Sequence, residues 1–173
     1  HPPQDKKTLM AVFDRIEDAA VTVSTIMASG VIPTTLEMMD NLTIRAVENY
    51  LEIGLPVDAG AILLIEVDGG PAAVQHDMVH VEAVCRRCGA VEVKTAQNKT
   101  EADALLKARR SISPACGKIN PTKISEDATV PRSRIPEMVA RIRGIAEKYK
   151  LKMVIFGHAG DGNLHPNILS NKQ

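Results

Sequence analysis

Met153-Val-Ile-Phe-Gly-His158-Ala-Gly-Asp161-Gly-Asn163-Leu-His165-Pro-Asn167-Ile-Leu169 reads as strand, turn, strand. Four apolar residues lead into a glycine-rich turn, and a short apolar run, Ile168 and Leu169, follows it. Gly157, Gly160 and Gly162 tolerate positive φ and close backbone approach, so the turn can bring His158 and His165 to the same end of both strands. Side chains alternate along a strand, so His165 and Asn167 project from one face. Two imidazoles and an amide aimed at one small volume suit a metal with a small polar ligand beside it. A plain hairpin carries the same Gly-Asp-Gly signal. A phosphate-cradling loop is the weaker reading, because it needs a helix directly after the strand and Pro166 favours extended chain. Calcium would need more carboxylates than Asp161.

Upstream of this stretch the hydrophobic pattern alternates between period 2 and period 3.6. Thr8 to Phe13 reads as a strand, and Asp14 with Glu17 as a capping box for a helix that Gly30 closes. Thr34 to Met39 is a second strand, with Asn41 capping a helix from about Leu42 to Ile53. Ala61 to Asp68, apolar almost throughout, reads as a central strand, and Pro71 opens the helix that runs to about Cys88. Val91 to Thr95 is the next strand. Thr100 and Asp103 cap a helix through about Ser113, and Ile112 to Ile124 reads as a loop. Thr129 to Pro131 suits a short edge strand, and Pro136 to Tyr149 a last helix. Two βαβ units in this order make an α+β, ferredoxin-like fold, an antiparallel sheet with helices packed on one face.

The 173 residues suit a single domain, and 21 Lys plus Arg balance 21 Asp plus Glu. That balance, with two Phe, two Tyr and no Trp, offers no footprint for nucleic acid. No apolar run approaches a membrane span, and three cysteines point to free thiols in a reducing, cytoplasmic setting. His76, His80, Cys85 and Cys88 invite a zinc reading. On a continuous helix they sit near about 0°, 40°, 180° and 120°, so they cannot converge on one ion, and the cysteines fall in the apolar stripe. Cys116, in the expected loop, has no neighbour that would lower its pKa.

Gly157-His-Ala-Gly-Asp-Gly-Asn-Leu-His-Pro-Asn167 resembles the signature of the C-terminal domain of FAD-linked D-2-hydroxy-acid oxidases and dehydrogenases, the group that holds the glycolate oxidase flavin subunit and D-lactate dehydrogenase. Two echoes extend the resemblance along the chain: Leu36-Glu37-Met-Met-Asp40, and Glu126-Asp127-Ala-Thr-Val-Pro131-Arg-Ser-Arg134. It implies that residues 1–173 are an incomplete substrate-side cap domain whose FAD-binding domain lies upstream. His158 and His165 would ligate a divalent metal, Zn or Mn, held weakly here because the family's Glu-His segment, which completes the site and supplies the base, lies downstream. No catalytic residue is therefore assigned within this stretch.

By the same resemblance Arg109 would hold the substrate carboxylate, as the arginine on the helix before the variable loop, with Ser113 four residues on and Lys123 or Lys118 from the loop. Asn167 would hydrogen-bond substrate, and Gly160, Gly162 and Asn163 would face the cofactor. Arg132 and Arg134 read as surface or packing residues. The implied partners are a small 2-hydroxy acid, the FAD domain and other oxidase subunits, and uncovered sheet edges favour a homodimer. Two other classes stay open: a non-catalytic ferredoxin-like binding module, and a metal-dependent hydrolase using His158, His165 and Asp161.

Overall fold

The structure, a computed structural model, describes residues 3–119 and 122–170. Its first half closes as two interleaved βαβ units. β1 (Asp5–Phe13), α1 (Ile16–Ala28) and β2 (Thr35–Asp40) form one; β3 (Ala61–Gly69), α3 (Pro71–Arg87) and β4 (Glu92–Thr95) form the other, with α2 (Asn41–Leu51) between them. The strands lie antiparallel in the order β4-β1-β3-β2, the ferredoxin-like arrangement. α4 (Lys99–Arg110), α5 (Ile112–Ile119), β5 (Thr122–Ser125), β6 (Ala128–Thr129), α6 (Ile135–Lys148), β7 (Met153–His158) and β8 (Asn163–Ser170) follow. β7 adds to β2, so the sheet continues as β7-β8-β5, with the short β6 also on β8.

Strand alternation splits the core into two layers. Leu9, Ala11, Phe13, Leu63 and Ile65 pack under α1, α3 and α6 through Val23, Ile26, Val81 and Val139. Met10, Val12, Ile62 and Leu64 point the other way, to Ile44 and Val47 of α2, Ala108 of α4, and Ala115 and Cys116 of α5. The expected one-sided helical layer thus holds for α1, α3 and α6, and a second layer of α2, α4 and α5 is added on the opposite face. The unbroken apolar run of β3 already required this, since a central strand without polar alternation must be covered twice.

Four local expectations are corrected. Glu17 does not close a capping box on α1; Arg15 occupies the cap position without a side-chain bond, and Glu17 pairs with Arg143 of α6 at 2.6 Å. Asp40, not Asn41, caps α2, accepting from the Thr43 amide at 2.8 Å, while Asn41 donates to the Val57 and Ala59 carbonyls. α4 is capped by Asn98, whose Oδ1 accepts from the Glu101 amide at 3.0 Å while Glu101 reaches back to the Gln97 amide. The stretch expected as a loop from Ile112 to Ile124 instead forms α5 and the start of β5. Ile112, Ala115 and Cys116 are buried there against the α2 layer, and that packing outweighs the proline and glycine content.

α3 is continuous through all but the last of the four residues of the declined zinc pattern, with Cys85 buried and His76 exposed beside Asp77. Burial pushes the Cys85 thiol up to about 12 and the Cys116 thiol to about 11, so neither is a nucleophile near neutrality. Among the described residues no helix is long and apolar enough to cross a membrane.

Candidate active site

β7 and β8 form the expected antiparallel pair, with Phe156 opposite His165 and Val154 opposite Asn167. A short 3-10 turn, Ala159–Asp161, joins them and closes at Gly162, whose φ of 75° lies in the left-handed region. A Cβ at Gly162 would stand 2.2 Å from the Val130 carbonyl oxygen, so the strap that carries β6 can lie directly on the turn. Gly157, at φ 148°, leaves the space into which the His165 ring edge and the Asn163 carbonyl pack. Gly160 does not need positive φ, and its closeness to the Leu36 side chain explains its small size.

The two imidazoles meet at this end of the sheet with ring centroids 5.4 Å apart, edge to face. Each is held from behind by a carboxylate. Glu37 Oε1 lies 2.6 Å from His158 Nδ1, and Asp127 Oδ1 lies 2.5 Å from His165 Nδ1. An ionised carboxylate only accepts, so each Nδ1 donates, and in the neutral ring Nε2 then keeps its lone pair for a ligand. A carboxylate behind a histidine is the usual support of a metal-binding imidazole, so these two residues fit the donor role expected of them. Among the described residues no group of three or more His, Cys, Asp and Glu side chains converges as a metal site. Asp161 therefore does not complete a three-donor set with the histidines.

Arg109 comes in from the last turn of α4. Its Nε donates to Glu37 Oε1 at 2.8 Å, and its Nη2 lies 3.2 Å from His158 Nδ1. The latter is packing rather than a hydrogen bond, because Nδ1 has its proton directed at Glu37. With Nε engaged, the Nη edge remains to meet an anion. Glu37, Arg109, Arg132, His158 and Asp161 share the lining of a narrow cleft of about 90 Å³. Asn167 is 1% exposed, and its Oδ1 has no hydrogen-bond partner. An orphaned buried acceptor costs on the order of 1–3 kcal/mol, and Asn167 is not among the residues lining the cleft.

Other expected residues fall elsewhere. α4 stops at Arg110 and α5 starts at Ile112, so Ser113 does not continue the Arg109 face of one helix. Ser113 Oγ instead accepts from Lys123 Nζ at 3.2 Å, which joins α5 to β5. Lys118 lies over the Tyr50 ring. Asn163 accepts from the Thr129 hydroxyl at 3.3 Å. Arg134 pairs with Glu137 at the surface, as expected. Sequence reasoning missed Glu37 and Asp127 as site residues, although both lie in the stretches that echo the family. Glu37 carried a further signal, since it is the one charged residue between apolar Leu36 and Met38 in a buried strand.

A family profile described as FAD linked oxidases, C-terminal domain, matches residues 2–173. The chain belongs to this family. Within the FAD-linked oxidases it is 52% identical over 169 residues to glycolate oxidase subunit GlcD of Bacillus subtilis, a match covering 98% of this chain and 36% of that protein. It is 42% identical to the Escherichia coli K12 glycolate oxidase subunit GlcD over 96% of this chain and 34% of the relative. The D-lactate dehydrogenase of Archaeoglobus fulgidus is 32% identical over 97% of this chain and 37% of its own length. The chain thus spans little more than a third of these relatives. The fold recurs in p-cresol methylhydroxylase, with a TM-score of 0.72 at 11% identity over 98% of this chain and 39% of that one. It recurs also in alkyldihydroxyacetonephosphate synthase, at 0.68 and 15% over 99% of this chain and 37% of that one.

Proposed function

We propose that this domain is the substrate side of an FAD-dependent oxidoreductase that converts a small D-2-hydroxy acid, glycolate or D-lactate, to its 2-oxo acid. The observation that carries the reading is the convergence of the Arg109 guanidinium with two carboxylate-backed histidines at one end of the sheet. The glycolate oxidase and D-lactate dehydrogenase relatives support the substrate class. Arg109 binds the substrate carboxylate through its Nη edge. His158 and His165 are the residues that would hold a divalent metal, Zn or Mn. A metal bound there supplies Lewis acidity toward the substrate oxygen. A flavin held mainly by a separate domain would supply the two-electron acceptor chemistry. Gly160 and Gly162 keep the turn packed against Leu36 and the Val130 strap, and Ser113, Lys123 and Asn163 are engaged with other partners outside the cleft.

The test is made on a full-length flavoprotein that carries this domain, kept anaerobic while glycolate, D-lactate and D-2-hydroxyglutarate are added in turn. Bleaching of the flavin by one of them is the expected result. Arg109→Ala should raise the substrate KM by about a hundredfold, the scale of a lost charge-assisted carboxylate contact. His165→Ala should depress kcat instead. A folded, flavin-loaded protein that none of the three reduces would exclude the reading.

A further inference from the structure

Glu37 stands in the middle of β2, with Leu36 and Met38 turned to one core layer and its own side chain turned to the other. It is 3% exposed, and one oxygen, Oε1, receives both the Arg109 Nε and the His158 Nδ1. These two donors come from different elements, α4 and β7. The β2–β7 register sets Glu37 directly across from His158, so the histidine contact is built into the sheet. Arg109 has no such constraint from its helix: it is a long side chain at the last turn of α4, with about 2 kcal/mol of rotamer entropy to lose.

From this geometry we infer that Glu37 is a positioning residue, which fixes the spacing between the Arg109 guanidinium and the His158 imidazole through a single buried oxygen. The inference rests on the functional reading above. A buried carboxylate is costly unless hydrogen-bond donors meet it, and here both donors are functional groups. The consequence for Arg109 is directional: Nε turned to Glu37 leaves the Nη edge toward the cleft. The consequence for His158 is a choice of tautomer, with the proton on Nδ1 and the lone pair on Nε2. Loss of Glu37 frees both at once, whereas loss of Arg109 or His158 alone frees one.

The experiment compares wild type with Glu37→Gln, Glu37→Asp and Glu37→Ala in the flavin-loaded full-length protein, at one fixed pH. Rapid anaerobic mixing with the hydroxy acid gives the apparent Kd and the limiting rate of flavin reduction. Histidine-selective ¹⁵N NMR reports the His158 tautomer independently of turnover. Glu37→Ala should weaken substrate binding by about tenfold to a hundredfold, lower the limiting rate, and turn the single His158 tautomer into a mixture. Glu37→Gln, which keeps the acceptor oxygen, should recover most of the binding; Glu37→Asp, charged but one methylene shorter, should recover less. A merely structural glutamate would lower the urea midpoint of Glu37→Ala while leaving the folded protein's Kd, rate and His158 tautomer unchanged, and that result overturns the inference. Should Glu37→Ala fail to fold, an unchanged Kd and tautomer in Glu37→Asp overturn it equally. If wild type is not reduced by any hydroxy acid, the functional reading fails, and the His158 tautomer alone still decides whether Glu37 positions it.

Discussion

Asp40 shows how one side chain ties the site to the scaffold. Its Oδ1 accepts from the Thr43 amide and hydroxyl, and its Oδ2 from the Ile155 amide at 2.8 Å, so it caps α2 and pins β7 in one place. Burial pushes its carboxyl up to about 6, against hydrogen bonds that pull the other way. A carboxyl with a raised folded pKa binds its proton more tightly in the folded state, so its contribution favours folding below about pH 4. That contribution is lost as the pH rises through about 6. Urea unfolding between pH 4 and pH 6.5 should therefore show stability falling by about 2 kcal/mol from this residue. Asp40→Asn should flatten that slope, and an unchanged slope in the variant would assign it to other groups.

At the scale of elements, the site depends on the β7–β8 turn and on α4. The turn is thin because Gly162 has left-handed backbone and no Cβ beneath the Val130 carbonyl. Gly162→Ala should cost more than about 2 kcal/mol, from the strained φ together with the clash, and should push away the strap that carries Asp127. The measurement is the chemical unfolding midpoint, with the His165 ring resonances as the local report. α4 delivers Arg109, and Asn98 with Glu101 closes its N-terminus reciprocally. Asn98→Ala should lower stability by about 1 kcal/mol, and hydrogen exchange should speed up in α4 before it does in β3. Equal acceleration in both would show that the cap is not specific to this helix.

At the scale of the whole molecule, one sheet carries two core layers and serves as their shared wall. Leu63 faces α1, α3 and α6, and Leu64, its neighbour in β3, faces α2, α4 and α5. Leu63→Ala and Leu64→Ala should each cost about 2–5 kcal/mol and should move the same single unfolding transition, because β3 cannot leave one layer without exposing the other. Two separate transitions in either variant would mean that the layers melt independently.

The hydrophobic periodicity of this sequence, its Gly-Asp-Gly turn and the order of its strands sufficed for the α+β class, the two βαβ units and the pairing of His158 with His165. Those properties are local: alternation, helical spacing and turn chemistry act within a dozen residues. The strand alternation also placed His165 and Asn167 on one face, as the register with Phe156 and Val154 bears out. What tertiary structure alone decided are the contacts between stretches far apart in the chain. α5 became a helix because Ile112, Ala115 and Cys116 had a layer to bury against, and Glu17 was drawn to Arg143 rather than to its own helix start. Glu37 and Asp127 became site residues only when the sheet set them behind the histidines, 121 and 38 positions away. No local propensity encodes such meetings, and a buried carboxylate such as Glu37 is stabilised only by the donors that the completed fold delivers to it.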